Sequence, residues 1–198
     1  MAALDGEAAN AGATARPARG RSVLAMLALV LLCALCAPFF VDQIAHDAPQ
    51  VRDGVADYSR WGPLSAPVEL RGTWRLTWLT APAPGATISM PVPGLWTGRM
   101  AGGVRLPEAG AATYHLRLTG LVPGRYTFYL PRIFDATDVR VNGRLASQRG
   151  RVGLTAATTT EEIRPHEVAI ETDGSDVDLA IDIANFHFDG AGLGEMPV

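Results

Sequence analysis

Residues 68–198 predict an all-β fold, an antiparallel jelly roll or β-sandwich, and three observations predict it. First, run after run alternates with the period of two that turns successive side chains to opposite faces of a strand. Tyr126, Phe128 and Leu130 alternate with Thr127 and Tyr129, and Val177, Leu179, Ile181 and Ile183 alternate with Asp176, Asp178, Ala180 and Asp182. Second, Val139 and Val141 lead straight into Asn142-Gly143, a pair suited to the two positive φ angles of a type I′ hairpin turn. Third, 21 glycines and 14 prolines punctuate the chain. They leave about seven or eight strands at roughly ten-residue spacing with no helical periodicity between them.

The chain begins differently. Met1 to Arg21 is rich in alanine and glycine and shows no apolar periodicity, which predicts a disordered tail. Residues 22–41 follow as a membrane-spanning helix: Val23 to Val41 carries no charge, and as a helix it would be ~28 Å long, close to the thickness of a bilayer core. Arg16, Arg19 and Arg21 precede it, and Asp42 and Asp47 follow. The excess of positive charge before the span places the N-terminus in the cytoplasm and the remainder in the periplasm. A cleaved signal peptide is the alternative; the long leading segment, the long apolar run and Pro38 beside Ala37 favour an uncleaved anchor.

Asp42 to Pro67 reads as a linker, with Pro49, Pro63 and Pro67 and a short helical piece around Val51 to Tyr58. The strands then begin. Trp74, Leu76 and Trp78 point one way and Arg75 and Thr77 the other; Pro82, Pro84 and Gly85 turn the chain into a short strand over Ile88 to Val92. Leu95 to Gly110 is glycine-rich and predicts a long loop, after which Tyr114, Leu116 and Leu118 alternate with His115, Arg117 and Thr119. Val122-Pro123-Gly124 turns into the strand at Tyr126, and a second loop covers Ser147 to Glu161. Val168 and Ile170 mark another strand, Asp173-Gly174 a turn, and Val177 to Ile183 the cleanest amphipathic strand.

Composition excludes several functions. A formal charge of -3 provides no basic face for nucleic acid. Both cysteines, Cys33 and Cys36, fall inside the apolar run, so the strand-rich part has no thiol for a disulfide, a zinc site or a nucleophile. No G-x-S-x-G elbow, P-loop or H-E-x-x-H occurs, and the expectation is a protein without catalytic activity.

The order of these signals resembles the galactose-binding-like jelly roll. A tryptophan-containing first strand is followed by MPVPGLW (Met90 to Trp96), TYHLRL (Thr113 to Leu118), DVRVNG (Asp138 to Gly143) and IANFHFDGAGL (Ile183 to Leu193). The sugar-binding domain of family 2 glycoside hydrolases is similar in this series. The chain more closely resembles the periplasmic N-terminal domain of bacterial seven-transmembrane receptors with diverse intracellular signalling modules. That likeness adds the W-x-x-x-W of Trp74 and Trp78, the G-x-V-G of Gly150 to Gly153 after the hairpin, and the ending from Asn185 to Leu193. It covers Val68 to Val198, while the seven spans and the output module of those receptors have no counterpart in this sequence. The resemblance implies a piece of a larger receptor or a domain serving alone on its anchor. In family 2 hydrolases the two catalytic carboxylates lie in a separate barrel, so the resemblance implies binding rather than hydrolysis.

Five residues are candidates for a ligand site. Asn185, His187 and Asp189 follow the last long strand, where their amide, imidazole and carboxylate could bond sugar hydroxyls while Phe186 or Phe188 stacks on a ring. Trp96 and Arg99, in the loop after Pro93, could supply an aromatic platform and a charged donor. Each has a plainer reading: Asn185 satisfying loop backbone groups, Trp96 plugging the core. Binding is expected through the loops Leu95 to Arg105 and Asn185 to Gly192 rather than an open sheet face, because sheet faces are committed to core or water. His115 reads as a surface histidine, and Asp176, Asp178 and Asp182 as a solvated strand face. The four histidines share no ligand spacing. No cofactor is expected, and calcium is the one metal that oxygen ligands such as Asp135, Asp138 or Asp189 could hold.

The sequence therefore predicts a membrane-anchored periplasmic sensing module for a small-molecule or glycan ligand, attached to the bilayer through Val23 to Val41 and answering to a membrane signalling partner. The alternatives are an interaction sandwich docked on a membrane protein and a non-catalytic domain of a glycoside hydrolase.

Overall fold

The computed structural model describes Met26 and residues 49–133, 135–195 and 197–198. The chain divides into two compact units, Met1–Asp47 and Ala48–Val198. Met26 is helical, but the rest of the predicted tail and span lies outside the described residues. Among the described residues no helix is long and apolar enough to cross a membrane.

The second unit is all-β. Its main sheet has seven strands, in the order β10 (Arg144–Arg149), β9 (Ala136–Val141), β12 (Val177–Asn185), β7 (Gly110–Thr119), β2 (Gly72–Trp78), β3 (Thr87–Val92), with β1 (Val55–Asp57) also paired to β7. Every pairing is antiparallel except β1 with β7. A second layer pairs β8 (Gly124–Leu130) with β11 (His166–Thr172). Three short strands complete the set before β7, β4 (Gly94–Leu95), β5 (Met100–Ala101) and β6 (Val104–Arg105); β5 pairs β6, and β4 pairs β13 (Gly192–Leu193). The glycine-rich stretch expected as one loop thus contains three small rungs.

Alternation decides which face is buried. Trp74, Leu76 and Trp78 of β2, Tyr114 and Leu116 of β7, and Leu179, Ile181 and Ile183 of β12 are all buried and register across the sheet as Leu76–Tyr114–Ile181 and Trp78–Ala112–Ile183. Phe128, Leu130, Val168 and Ile170 of the second layer join them in one apolar cluster. Each large aliphatic side chain so buried contributes about 1.5–3 kcal/mol relative to exposure. The hairpin turn is as the sequence predicts: Asn142 and Gly143 have φ of 50° and 76°, and Arg144 pairs with Val141. β8, by contrast, takes no part in that hairpin, since it pairs with β11 in the other layer.

Val51 to Tyr58 is a correction. It is not helical: Asp53 and Gly54 both have positive φ, 46° and 77°, and the Arg52 and Val55 amides donate to each other's carbonyls at 2.8 and 3.0 Å. This is an Asp-Gly turn, and it feeds β1 alongside the far end of β7. Val51, Ala56 and Tyr58 are buried, so these linker residues belong to the core. Gly72 makes the crossing possible. A Cβ there would fall on the Val51 carbonyl, and Val51 bridges to Gly72 as the chain passes.

Candidate ligand-binding groove

The two loops expected to form a site do meet. Gly192 pairs with Leu95, and the Trp96 amide donates to the Ala191 carbonyl at 3.0 Å. Their side chains are deployed otherwise. Trp96 is fully buried, edge-on to Trp78 with ring centroids 5.4 Å apart and tilted against Tyr114 at 6.4 Å. Its Nε1 donates to the Glu108 carbonyl at 3.2 Å, so no ring face is open to a ligand. Asn185 is equally buried. Its Oδ1 accepts from the amides of His187 and Phe188 at 3.2 and 3.0 Å, and its Nδ2 donates to the Phe188 carbonyl at 2.7 Å. That amide is committed to its own turn.

Arg99, His187 and Asp189 are exposed. Arg99 Nε reaches the Leu95 carbonyl at 3.5 Å, and His187 Nδ1 is bonded to the Glu161 carboxylate. A cavity of about 250 Å³ opens beside them, lined by Leu95, Ile133, Gly190, Gly192 and neighbours, but none of the five candidates lines it. Near Gly192 of its lining is Asp135, only 2% exposed, with no hydrogen bond to either carboxylate oxygen among the described residues. Burial pushes its pKa up to about 7, partly offset by the Gly192 amide and reinforced by the charge of Glu161. Among the described residues no three His, Cys, Asp or Glu side chains converge to hold a metal: Asp138 is buried on the main sheet and Asp189 lies in the exposed turn.

A larger concavity lies on the outer face of the main sheet. It encloses about 740 Å³ and is lined by polar groups of three strands and the Asp-Gly turn: Asp53, Arg75, Thr77, His115, Arg117 and Asp178. Its shape follows from the register. Arg75, His115 and Ala180 stand in one row across β2, β7 and β12, and the small Ala180 side chain keeps the floor low. Asp53 to Val55 rises beside this row as a wall, tied down by the Arg117 amide donating to the Gly54 carbonyl at 2.7 Å.

Within the groove the charged groups are paired and aimed. Arg117 makes a bidentate contact with Asp178, Nε to Oδ1 at 2.7 Å and Nη2 to Oδ2 at 3.0 Å. Arg75 Nη2 donates to Asp53 Oδ2 at 3.0 Å. His115 Nε2 lies 3.1 Å from Thr77 Oγ1. Burial lowers the His115 pKa, against the pull of the Asp182 carboxylate, which keeps the ring neutral near pH 7 and able to accept as well as donate. Beyond Ala180, Asp182 accepts from Thr113 Oγ1 at 2.7 Å and from Arg140 Nε at 3.0 Å. The outward assignment of His115, Arg117 and Asp178 was legible in the alternation. The wall was not, because its residues lie about sixty positions before their partners in β7.

No family model matches the chain, and no curated protein matches it. Solved structures similar to it include a GH2 beta-galacturonidase from Eisenbergiella tayi bound to galacturonate, with 16% identity, 66% of this chain covered, 23% of that chain and a TM-score of 0.49. A beta-D-glucuronidase from Dictyoglomus thermophilum shows 19% identity over 59% of this chain and 19% of that chain, at a TM-score of 0.44. A beta-glucuronidase from Ruminococcus gnavus shows 15% identity over 64% and 23%, at 0.45. The chain therefore spans about a fifth to a quarter of the length of these enzymes. Likeness at this level says nothing of activity or substrate.

Proposed function

We propose that this chain is a carbohydrate-type ligand-binding module, held at a bacterial inner membrane by Val23 to Val41 and displayed in the periplasm as the sensor of a signalling protein. The observation that carries the binding reading is the groove on the outer sheet face. Its volume of about 740 Å³ is that of a small-molecule site. Guanidinium donors, carboxylate acceptors and a neutral imidazole alternate across it, which suits a ligand whose hydroxyls both donate and accept. The charge-free run after three arginines supports the anchor. The module acts by binding alone, so aryl glycosides are not turned over.

The test is a glycan array followed by calorimetric titration of the full chain. Arg117→Ala and His115→Ala should each weaken any ligand found by about tenfold or more, as for a lost central contact. Neither should unfold the protein: Arg117 and Asp178 are more than half exposed and such surface pairs contribute ~1 kcal/mol or less, while His115 is half-buried and outside the apolar core. The exposed loop residues Arg99, His187 and Asp189 form the rival site. Loss of binding in His187→Ala with normal binding in His115→Ala would move the site there.

A further inference from the structure

Taken as the ligand site proposed above, the groove on the outer sheet face also chooses between kinds of sugar through its charges. Both guanidinium groups that line it already hold a carboxylate. Arg117 spends Nε and Nη2 on Asp178, and Arg75 spends Nη2 on Asp53. The lining is therefore neutral, two arginines against two aspartates. Asp182 adds a charge that reaches His115 on the floor. Arg140 offsets it at 3.0 Å, but stands 3.6 Å from Asp138 as well. Asp176 adds a further charge, which reaches Arg117. Carboxylates are thus in excess around the groove, and among the described residues neither lining arginine is without one.

A paired charge still forms hydrogen bonds. A guanidinium carries several N–H donors, so the single nitrogen used at Arg75 and the two used at Arg117 leave donors unspent. Asp53 accepts through Oδ2 alone, and its side chain is 67% exposed. Each pair therefore sets a donor beside an acceptor. Two neighbouring hydroxyls match that arrangement, one accepting from the arginine while the other donates to the aspartate. A ligand carboxylate only accepts. It suits the arginine and is set against the aspartate next to it, and like charges juxtaposed across an interface cost affinity. It also sheds its own water with no unpaired cation to replace it.

We infer that the groove selects uncharged sugars over the corresponding sugar acids, with Asp53 and Asp178 as the residues that exclude the acid. Specificity of this kind comes from repulsion built against the near neighbour rather than from an added contact to the chosen ligand.

The probes are matched disaccharides of one linkage, ending in galactose or galacturonate, glucose or glucuronate, mannose or mannuronate, titrated into the full chain at low salt. In at least one pair the neutral form should bind at least about tenfold more tightly than the acid. Raising the salt to ~0.5 M should narrow that gap, because mobile ions screen exposed charges. A double variant, Asp53→Asn with Asp178→Asn, should bind the acid about tenfold more tightly than the parent does, a gain that no misfolded protein shows. Arg117→Ala should weaken the neutral form. An acid that binds as tightly as its neutral partner, or a preference unchanged in the double variant, overturns the selection and leaves the groove as the ligand site. Binding of neither form in any pair, or binding indifferent to Arg117→Ala, overturns the groove and the selection together.

Discussion

Replacing Trp96 separates a core residue from a binding platform. Its indole is fully buried, with one ring edge-on and another tilted over it at 5.4 and 6.4 Å. Trp96→Ala removes the largest side chain at the centre of this cluster, and truncations of this kind cost about 3–5 kcal/mol. The lost Nε1 bond adds little, since Glu108 is exposed and its carbonyl can turn to water. For a domain of this size each kcal/mol lowers the melting temperature by roughly 2–4 °C, so the expected fall is about 6–20 °C. Trp96→Phe keeps an aromatic ring against Trp78 and should lose less than half of that. Thermal unfolding followed by near-ultraviolet circular dichroism reads both. If Trp96→Ala melts within about 2 °C of the parent yet binds ligand poorly, the ring faces a ligand and the packing argument is wrong.

Gly143→Val should cost about 1–3 kcal/mol from backbone strain alone, since no atom lies within 4 Å of a Cβ there; unchanged melting would show that the turn tolerates a β-branched residue. Gly72→Ala should destabilise the unit and detach the groove wall, read as faster exchange at the Gly54 and Arg117 amides, because its Cβ meets the Val51 carbonyl. Asp135 holds its proton in the folded state up to about pH 7, above its ordinary value of 3.8, so it binds more protons folded than unfolded and drains stability as pH rises from about 4 to 7. Asp135→Asn should therefore gain on the parent across that window and run parallel above it; a constant difference from pH 4 to 8 would refute the shift. His166 works in the opposite sense: burial lowers it to about 4, so it adds stability as pH rises from about 4 to 6.5, and His166→Phe should flatten that rise. Calcium and chelator should each leave the melting temperature unchanged.

The strands were legible wherever alternation and burial coincide, as at Trp74, Leu76 and Trp78 or Val177 to Ile183. β10 was not, because its residues, Arg144 to Arg149, are largely exposed and the strand is held by the Asn-Gly turn and the ladder to β9 rather than by an apolar stripe. β1 escaped for a related reason. Its signal was Asp53-Gly54, a turn pair before a three-residue strand whose alternation turns only Gly54, Ala56 and Tyr58 inward and the apolar Val55 outward, too short and too weakly apolar a run to stand out. At the candidate site, residue chemistry alone could not show that Asn185 is consumed by its own turn or that Trp96 faces inward. Nor could it show that a sheet face becomes concave when Ala180 lies low and a distant turn rises beside it.

The pairing of β7 with β12 has a consequence for how the chain is made. Leu118 faces Val177 at the near end of that ladder and Gly110 faces Asn185 at the far end, so Tyr114, Leu116 and Leu118 leave the ribosome long before the strand that covers their flank. At about 5–20 residues per second, the roughly sixty residues between the near ends take about 3–12 s to synthesise. For that interval the centre of the future sheet is an open apolar edge, and closing so long a loop is slow even once both strands are present. The local Asn142-Gly143 hairpin can form within that wait, on a microsecond timescale, but it lacks the buried partners that would keep β7 from pairing elsewhere. Nascent chains stopped between Leu118 and Val177 should therefore be the aggregation-prone species, and those carried past Asn185 should not.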